Sequence, residues 1–414
     1  MSRQIEVYGD WLGEKPLLIG TLMANQARGK EHFSFAYARD WLAREDALYL
    51  RIDPELLLFQ GPQHTQDDRN FRTFLDSCPD RWGRLLMQRR EAALARQQNR
   101  KARTLLDSDY LLGVYDECRM GAMRYKTEPD GAFLNNDHRL AAPPMTSLRE
   151  LEQAARNIEM HNDPDDPEYI KWLFMLISPG SSLGGARPKA SVTDEQGDLW
   201  IAKFPSRYDD HDVGAWEYLT YQLAMQAGID MAECRIERYH SDHHTFLAKR
   251  FDRLEKRRLH FSSAMTQLGY YDGDTGASYL ELAEFLVHHG SNTRADLEQL
   301  WRRIVFNIAV SNSDDHLRNH GFLFHDKGWR LSPAYDINPV PAAQGLHLNI
   351  DDKDNSLSYE LAFEVIPFFQ LEEDKAEQIF VEVIQAVSQW QQVATRIGIS
   401  RAEQEQMRSA FNIG

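Results

Sequence analysis

Residues 311–320 of the stretch "SNSDDHLRNHGFLF" hold two carboxylates, two imidazoles and two asparagines, after which the chain turns apolar. Within it, Asp314 and Asn319 stand five positions apart. That is the spacing of a phosphoryl-transfer catalytic loop, in which the aspartate accepts the substrate hydroxyl proton and the asparagine carbonyl binds Mg²⁺. In this reading Asp315 faces solvent and His316 fixes the loop by hydrogen bonding. A metal-hydrolase reading competes: Asp314, Asp315, His316 and His320 could ligate a transition metal, joined by His240, His243 and His244 of "YHSDHH". Downstream, "GFLFHDKGWRLSPAYD" predicts two strands around a turn at residues 326–328, a hairpin that returns Asp336 to Asn319. A second carboxylate there completes an oxygen site suited to Mg²⁺.

Phosphoryl transfer also needs a phosphate cradle, and "SSLGGARPKASVTDEQGDLWIAKFPS" spans residues 181–206. Gly184 and Gly185 allow a tight turn and close approach of backbone to an anion. The loop runs into a strand, "KASV", whereas a Walker A or dinucleotide motif opens a helix, so both are disfavoured. In "DLWIAKFP", Lys203 shares a strand face with Leu199 and Ile201, 18 positions beyond Gly185. A glycine loop between strands, followed by a lysine-bearing strand, is the arrangement of a protein-kinase amino-terminal lobe. The next helix, "VGAWEYLTYQLAMQAG", offers Glu217 as the lysine's carboxylate partner.

Three regions would position these residues. Residues 1–140 form an N-terminal α+β subdomain with strands at "LIGTLMA", "FSFAYA" and "ALYLRI", ending in the linker "NNDHRLAAPPM". Residues 141–252 form a small mixed lobe with the glycine-rich loop, and 253–414 a mostly helical lobe with the catalytic loop. In the last, "SYLELAEFLVHHG" opens with a Ser278/Glu281 capping box and closes on Gly290. Then "RADLEQLWRRIVFNIAVSNS" sets Leu297, Leu300, Trp301, Ile304, Val305 and Ile308 on one face. The fold class expected is α+β, a protein-kinase-like two-lobed fold with an additional N-terminal α+β subdomain.

Composition narrows the setting. With 414 residues, 42% of them hydrophobic, the chain can bury a sizeable core. A net charge of −16 disfavours broad adhesion to nucleic acid. One exception is residues 81–103, where eight basic residues face the single acid Glu91 on a predicted helix. This reads as a solvated face or a contact for nucleic acid or an acidic partner. Cys78, Cys118 and Cys234 are odd in number and lack CxxC spacing, so no disulfide framework is expected. Neither a membrane helix nor a signal peptide is expected, and the compartment expected is the cytoplasm.

The ordered stretches "SLGGARPK", "IAKFP", "LAKRFDR", "NSDDHLRNHGFLF" and "LSPAYDINP" resemble the HipA family, serine/threonine kinase toxins of bacterial type II toxin–antitoxin modules. "FLDSCPDRWGRLLMQRR" and "DYLLGVYDECRMGAMRY" resemble its amino-terminal subdomain, so the resemblance covers most of the chain. It implies ATP and Mg²⁺, with Asp314 as catalytic base, Asn319 and Asp336 at the metal, and Lys203 on the phosphates. It places Ser182, Gly184, Gly185, Ala186 and Lys189 of the glycine loop on the nucleotide side, with Glu217 and His316. Lys249 and Phe251 would lie along the adenine and Asp252 near the ribose. Self-phosphorylation is implied at Ser182, with Ser181 and Ser178 as alternative acceptors. Implied partners are a HipB-like antitoxin, operator DNA through that antitoxin, and a protein substrate, with aminoacyl-tRNA synthetases as targets of relatives. Two departures stand out: Arg187 replaces a usual Gln, and Gly184 occupies a position that is Ser in some members. A non-catalytic corepressor that binds antitoxin and operator, and a kinase acting on a small molecule or lipid, stay open on the residues alone.

Overall fold

The structure is a computed structural model that describes residues 2–160, 166–176 and 185–413. It divides into two compact units, Met1–Tyr208 with Lys249–Ser262, and Asp209–Ala248 with Ser263–Gly414. The three-region reading of the sequence divided the chain at about 140 and 252 instead.

In the first unit, period-two alternation of apolar residues makes strands, because successive side chains point to opposite faces. β1 (Ser2–Gly9) buries Ile5 and Val7, β2 (Leu17–Ala27) buries Leu22 and Ala24, and β3 (Lys30–Tyr37) buries Phe33, Phe35 and Tyr37. With β4 (Gln63–His64) and β5 (Met123–Lys126) they form an antiparallel sheet of order β4-β3-β2-β1-β5. The strand expected at "ALYLRI" is instead a 3₁₀ turn, Glu45–Leu48, followed by irregular chain. Ala47, Leu50 and Ile52 are buried while the adjacent Leu48 and Tyr49 are both exposed, which breaks the alternation a half-buried strand requires.

The expected basic helix is present as α1 (Arg81–Gln97), capped by Asp80, whose Oδ1 accepts from Gly83 N at 2.8 Å. Such a cap satisfies one of the donors that a helix start leaves unpaired. Further along, β6 (Lys189–Thr193) and β7 (Leu199–Lys203) form an antiparallel hairpin in which Lys189 lies directly opposite Lys203 and Thr193 opposite Leu199.

The second unit is mostly helical. α2 (Val213–Gln226) is capped by Asp212, which accepts from Ala215 N. α3 (Tyr279–His289) has the expected Ser278/Glu281 capping box. α4 (Thr293–Ala309) buries every residue of the expected face completely: Leu297, Leu300, Trp301, Ile304, Val305 and Ile308. Six such side chains, at roughly 1.5–3 kcal/mol each, anchor the helix against the core. The hairpin expected after it is β8 (Gly321–His325) with β9 (Gly328–Leu331), turning through Asp326 and Lys327, both at positive φ. Two central residues at positive φ are what a type I′ hairpin turn requires. Helices Glu373–Val387, Trp390–Ile397 and Arg401–Met407 complete this unit.

Candidate active site

The segment expected to be the catalytic loop lies within the second unit. α4 ends at Ala309, and Ser311 at φ +50° turns the chain into "NSDDHLRN". Asp314 is exposed, and its backbone carbonyl accepts from His316 N at 2.9 Å and from Asn319 Nδ2 at 3.0 Å. The second bond fixes the asparagine, because the edge carrying Nδ2 holds the loop and Oδ1 lies on the opposite edge. Asn319 is itself 4% exposed. The Asp314 carboxylate and the Asn319 amide are therefore held on one short loop at fixed separation in sequence.

Two bonds between the segments on either side of hairpin β8–β9 bring the chain at Asp336 back toward that at Asn319. Ser332 N donates to Gly321 O at 2.8 Å, and Tyr335 OH donates to Arg318 O at 2.8 Å. The neighbour of Asp336 thus contacts the neighbour of Asn319. Asp336 has φ +59°, a left-handed conformation uncommon outside glycine, and accepts from Asn338 Nδ2 at 3.3 Å. Local strain of this kind concentrates where geometry is set by function.

Asp315 corrects the expectation that it faces solvent. It is 3% exposed, and its Oδ2 accepts from Tyr279 OH, Asn307 Nδ2 at 2.7 Å and His320 Nε2 at 2.9 Å. Burial alone would raise this carboxyl, but His320, Tyr279 and His316 outweigh it and hold it below the usual carboxylate range. The alternation of the loop explains the reversal: Asp314 points out, so its neighbour points into the core. Asp315 and His320 are bonded to each other, which removes two ligands from the metal-hydrolase reading. His244 is occupied as well, with Nδ1 2.6 Å from Asp212 Oδ2 at the start of α2. Among the described residues, no group of three or more His, Cys, Asp or Glu is placed to hold a metal ion.

The remaining second-unit candidates are Glu217 and His316. Glu217 lies on α2 and is 4% exposed. His316 is half-buried, with its ring edge against His347 at 5.7 Å between centroids.

In the first unit, Gly185 and Ala186 are exposed, and a Cβ at Gly185 would meet nothing within 4 Å. Ser178, Ser181, Ser182 and Gly184 lie outside the described residues. Lys203 is half-buried at the end of β7. Opposite it, Lys189 departs from its expected place on the phosphates: its Nζ bonds Asp80 Oδ2 at 2.7 Å and Gly185 O at 3.0 Å, with its side chain 1% exposed. Directly opposed like charges destabilise a strand pair, and Asp80 neutralises one of this pair.

Lys249, expected along the adenine, bonds Asp198 Oδ2 at 2.6 Å, and the Phe251 ring packs on Phe261 at 5.9 Å. Asp252, expected near the ribose, is fully buried instead. Its carboxylate accepts from Arg250 and Arg253 at 2.6 Å and from Gly121 N at 2.7 Å. Burial would raise it, yet the two guanidiniums pull it down to about 2. An oxygen pair already saturated with donors and sealed from solvent is a structural clamp.

The basic run of residues 81–103 is largely consumed internally. Arg100 pairs with Glu91 at 2.5 Å, Arg103 with Asp109 at 2.9 Å, Arg84 with Asp107 at 3.3 Å, and Arg89 donates to Ile158 O at 2.6 Å. Asp80, Tyr279, Asn307 and Asn338 were not among the expected site residues, and Asp315 and His320 were expected only as metal ligands. Only the Pro-Asp start of α1 and the repeated five-residue spacing of 314/319 and 315/320 offered a signal.

Residues 181–391 match the HipA-like C-terminal domain family. A protein of Haemophilus influenzae, a candidate kinase by name, is 26% identical over 212 residues, covering 44% of this chain and 61% of that protein. A candidate kinase of Sinorhizobium fredii is 28% identical over 192 residues, 42% of this chain and 45% of that one. The chain thus spans less than two thirds of the length of these curated relatives. Among solved structures, a HipA chain of Shewanella oneidensis, determined with HipB and operator DNA, superposes with a TM-score of 0.64 at 18% identity, covering 98% of this chain and 94% of that one. This likeness shows the fold, the α+β kinase-like architecture of HipA. On the match over residues 181–391, the chain belongs to the HipA-like family.

Proposed function

We propose that the chain is an ATP-dependent serine/threonine protein kinase and the toxin of a toxin–antitoxin pair. The observation that carries this reading is the Asp314–Asn319 loop, with an exposed carboxylate and an amide oriented by the bond from Nδ2 to Asp314 O. In the reaction, Asp314 accepts the proton of a substrate hydroxyl as its oxygen bonds the γ-phosphorus of ATP and ADP departs. Lys203 serves the phosphates, with Gly185 and Ala186 as open backbone nearby in sequence.

The donor set suits Mg²⁺. Asn319 Oδ1 and the Asp336 carboxylate are hard oxygens, and the buried Asn338 Oδ1 beside Asp336 has no protein hydrogen-bond partner. Asn319 and Asp336 would hold the ion, which neutralises phosphate charge when bound.

The Shewanella HipA was solved with HipB and operator DNA, and a HipB-like antitoxin is the partner proposed here. The internal pairing of Arg84, Arg100 and Arg103 favours operator contact through the antitoxin rather than through residues 81–103. The substrate is a cytoplasmic protein, with an aminoacyl-tRNA synthetase as the first target to try. Self-phosphorylation at Ser182 supplies the off state, since a phosphate adds about −1.5 to −2 charges where the phosphates of ATP must approach.

Incubation of the chain with γ-labelled ATP and Mg²⁺ in a cell lysate tests this. Label should appear on a lysate protein and on Ser182, and neither should appear with Asp314→Asn. Absence of transfer by the parent, with nucleotide bound, overturns the reading.

A further inference from the structure

We propose that Asp315 is the positioning residue of the catalytic loop: its buried carboxylate, clipped to His320 and held by Tyr279 and Asn307, sets the places of Asp314 and Asn319. The inference rests on the kinase reading above and goes beyond it, since Asp315 touches neither nucleotide nor substrate.

Two bonds of equal span, offset by one residue, close the loop. Asn319 Nδ2 donates to Asp314 O at 3.0 Å, and His320 Nε2 donates to Asp315 Oδ2 at 2.9 Å. Each functional residue therefore has a clipped neighbour. The Asp315–His320 clip lies in the core, with the two residues 3% and 2% exposed, where a charge-assisted bond is stronger than in water. Tyr279 on α3 and Asn307 on α4 donate to the same oxygen, so the loop is pinned to two helices. Asn307 Nδ2 also lies 3.2 Å from Tyr279 OH, which ties the two anchors together.

From Asn307 the network continues to the metal-side carboxylate. Asn312 Nδ2 donates to Asn307 Oδ1 at 3.1 Å, Asn338 N donates to Asn312 Oδ1 at 3.3 Å, and Asn338 Nδ2 donates to Asp336 Oδ1 at 3.3 Å. Three asparagines thus connect Asp315 to Asp336. Asn307 and Asn312 are buried and their amides are bonded to each other, so displacing Asp315 shifts the base loop and, through Asn338, the Asp336 segment together. Misplacement of catalytic groups by about 1 Å is enough to lower a rate roughly 100-fold.

The test uses full-length protein carrying Asp315→Asn or Tyr279→Phe, the latter removing a single donor in case the former does not fold. Turnover, MgATP affinity, thermal midpoint and amide hydrogen exchange of residues 313–320 and 335–338 are measured. Asp315→Asn should lower kcat about 10- to 100-fold and leave MgATP affinity within about 3-fold. Exchange should accelerate in those two segments before it does in the rest of the unit. Tyr279→Phe should move the same quantities in the same direction by less. Parent-like kcat in folded Asp315→Asn overturns the proposal, as does a loss of activity that only tracks a lowered thermal midpoint. If the parent itself transfers no phosphate, the kinase reading falls and the exchange measurement decides alone: unaltered protection at 313–320 overturns the positioning role.

Discussion

Lys189 Nζ lies 2.7 Å from Asp80 Oδ2, with both side chains 1% exposed, so the first residue of β6 is bonded to the cap of α1. Trp82 Nε1 adds a bond to Lys189 O at 3.1 Å. A buried pair is costly to form, and removing one partner is costlier, because the other charge is left uncompensated. Lys189→Met should destabilise the first unit by about 3–5 kcal/mol, and adding Asp80→Asn should recover much of it. Chemical denaturation of the two single variants and the double variant measures the coupling. Independent, additive losses would show that the pair does not act as one.

Asp314→Asn should reduce phosphoryl transfer by roughly 10² to 10⁴, the usual effect of losing a general base. Its exposure means that fold and MgATP affinity should persist, which isothermal titration and thermal melting will check. Parent-like turnover would remove Asp314 from the role of base.

Asp336→Ala should weaken Mg²⁺-dependent binding of ATP while leaving the thermal midpoint nearly unchanged. The side chain is half-buried on a loop and contributes little packing. Titration of ATP with and without Mg²⁺ separates the outcomes, and a midpoint lowered by several degrees with unchanged affinity would make Asp336 structural.

Asp252 sets an acid limit on the first unit. Its carboxyl is pulled from the ordinary 3.8 down to about 2 by Arg250 and Arg253, against the opposing effect of burial. The folded state therefore prefers the ionised form more than the unfolded chain does. That preference stabilises above about pH 4 and is lost as pH falls through about 2, by about 2 kcal/mol in all. Denaturation from pH 5 to pH 2 should show the parent's advantage over Asp252→Asn shrinking across that window. A constant difference would show that the carboxyl is not depressed.

The elements that carry the site were legible because their signals are local. Apolar alternation marked β2 and β3, the Ser278/Glu281 box marked the start of α3, and a 3.6-residue apolar period marked the buried face of α4. The Asp314/Asn319 spacing likewise marked the candidate loop, and the hairpin after it followed from its turn residues. What the sequence could not determine was which polar residues face inward. Asp315 and Asp314 are adjacent and chemically identical, and only packing against Tyr279 and Asn307 makes one a buried anchor and leaves the other an exposed carboxylate. In the same way, Lys189 and Lys203 are both lysines on neighbouring strands. The approach of Asp80, 109 positions away in the chain, buries one of them, because a charge can leave water only where a distant partner compensates it.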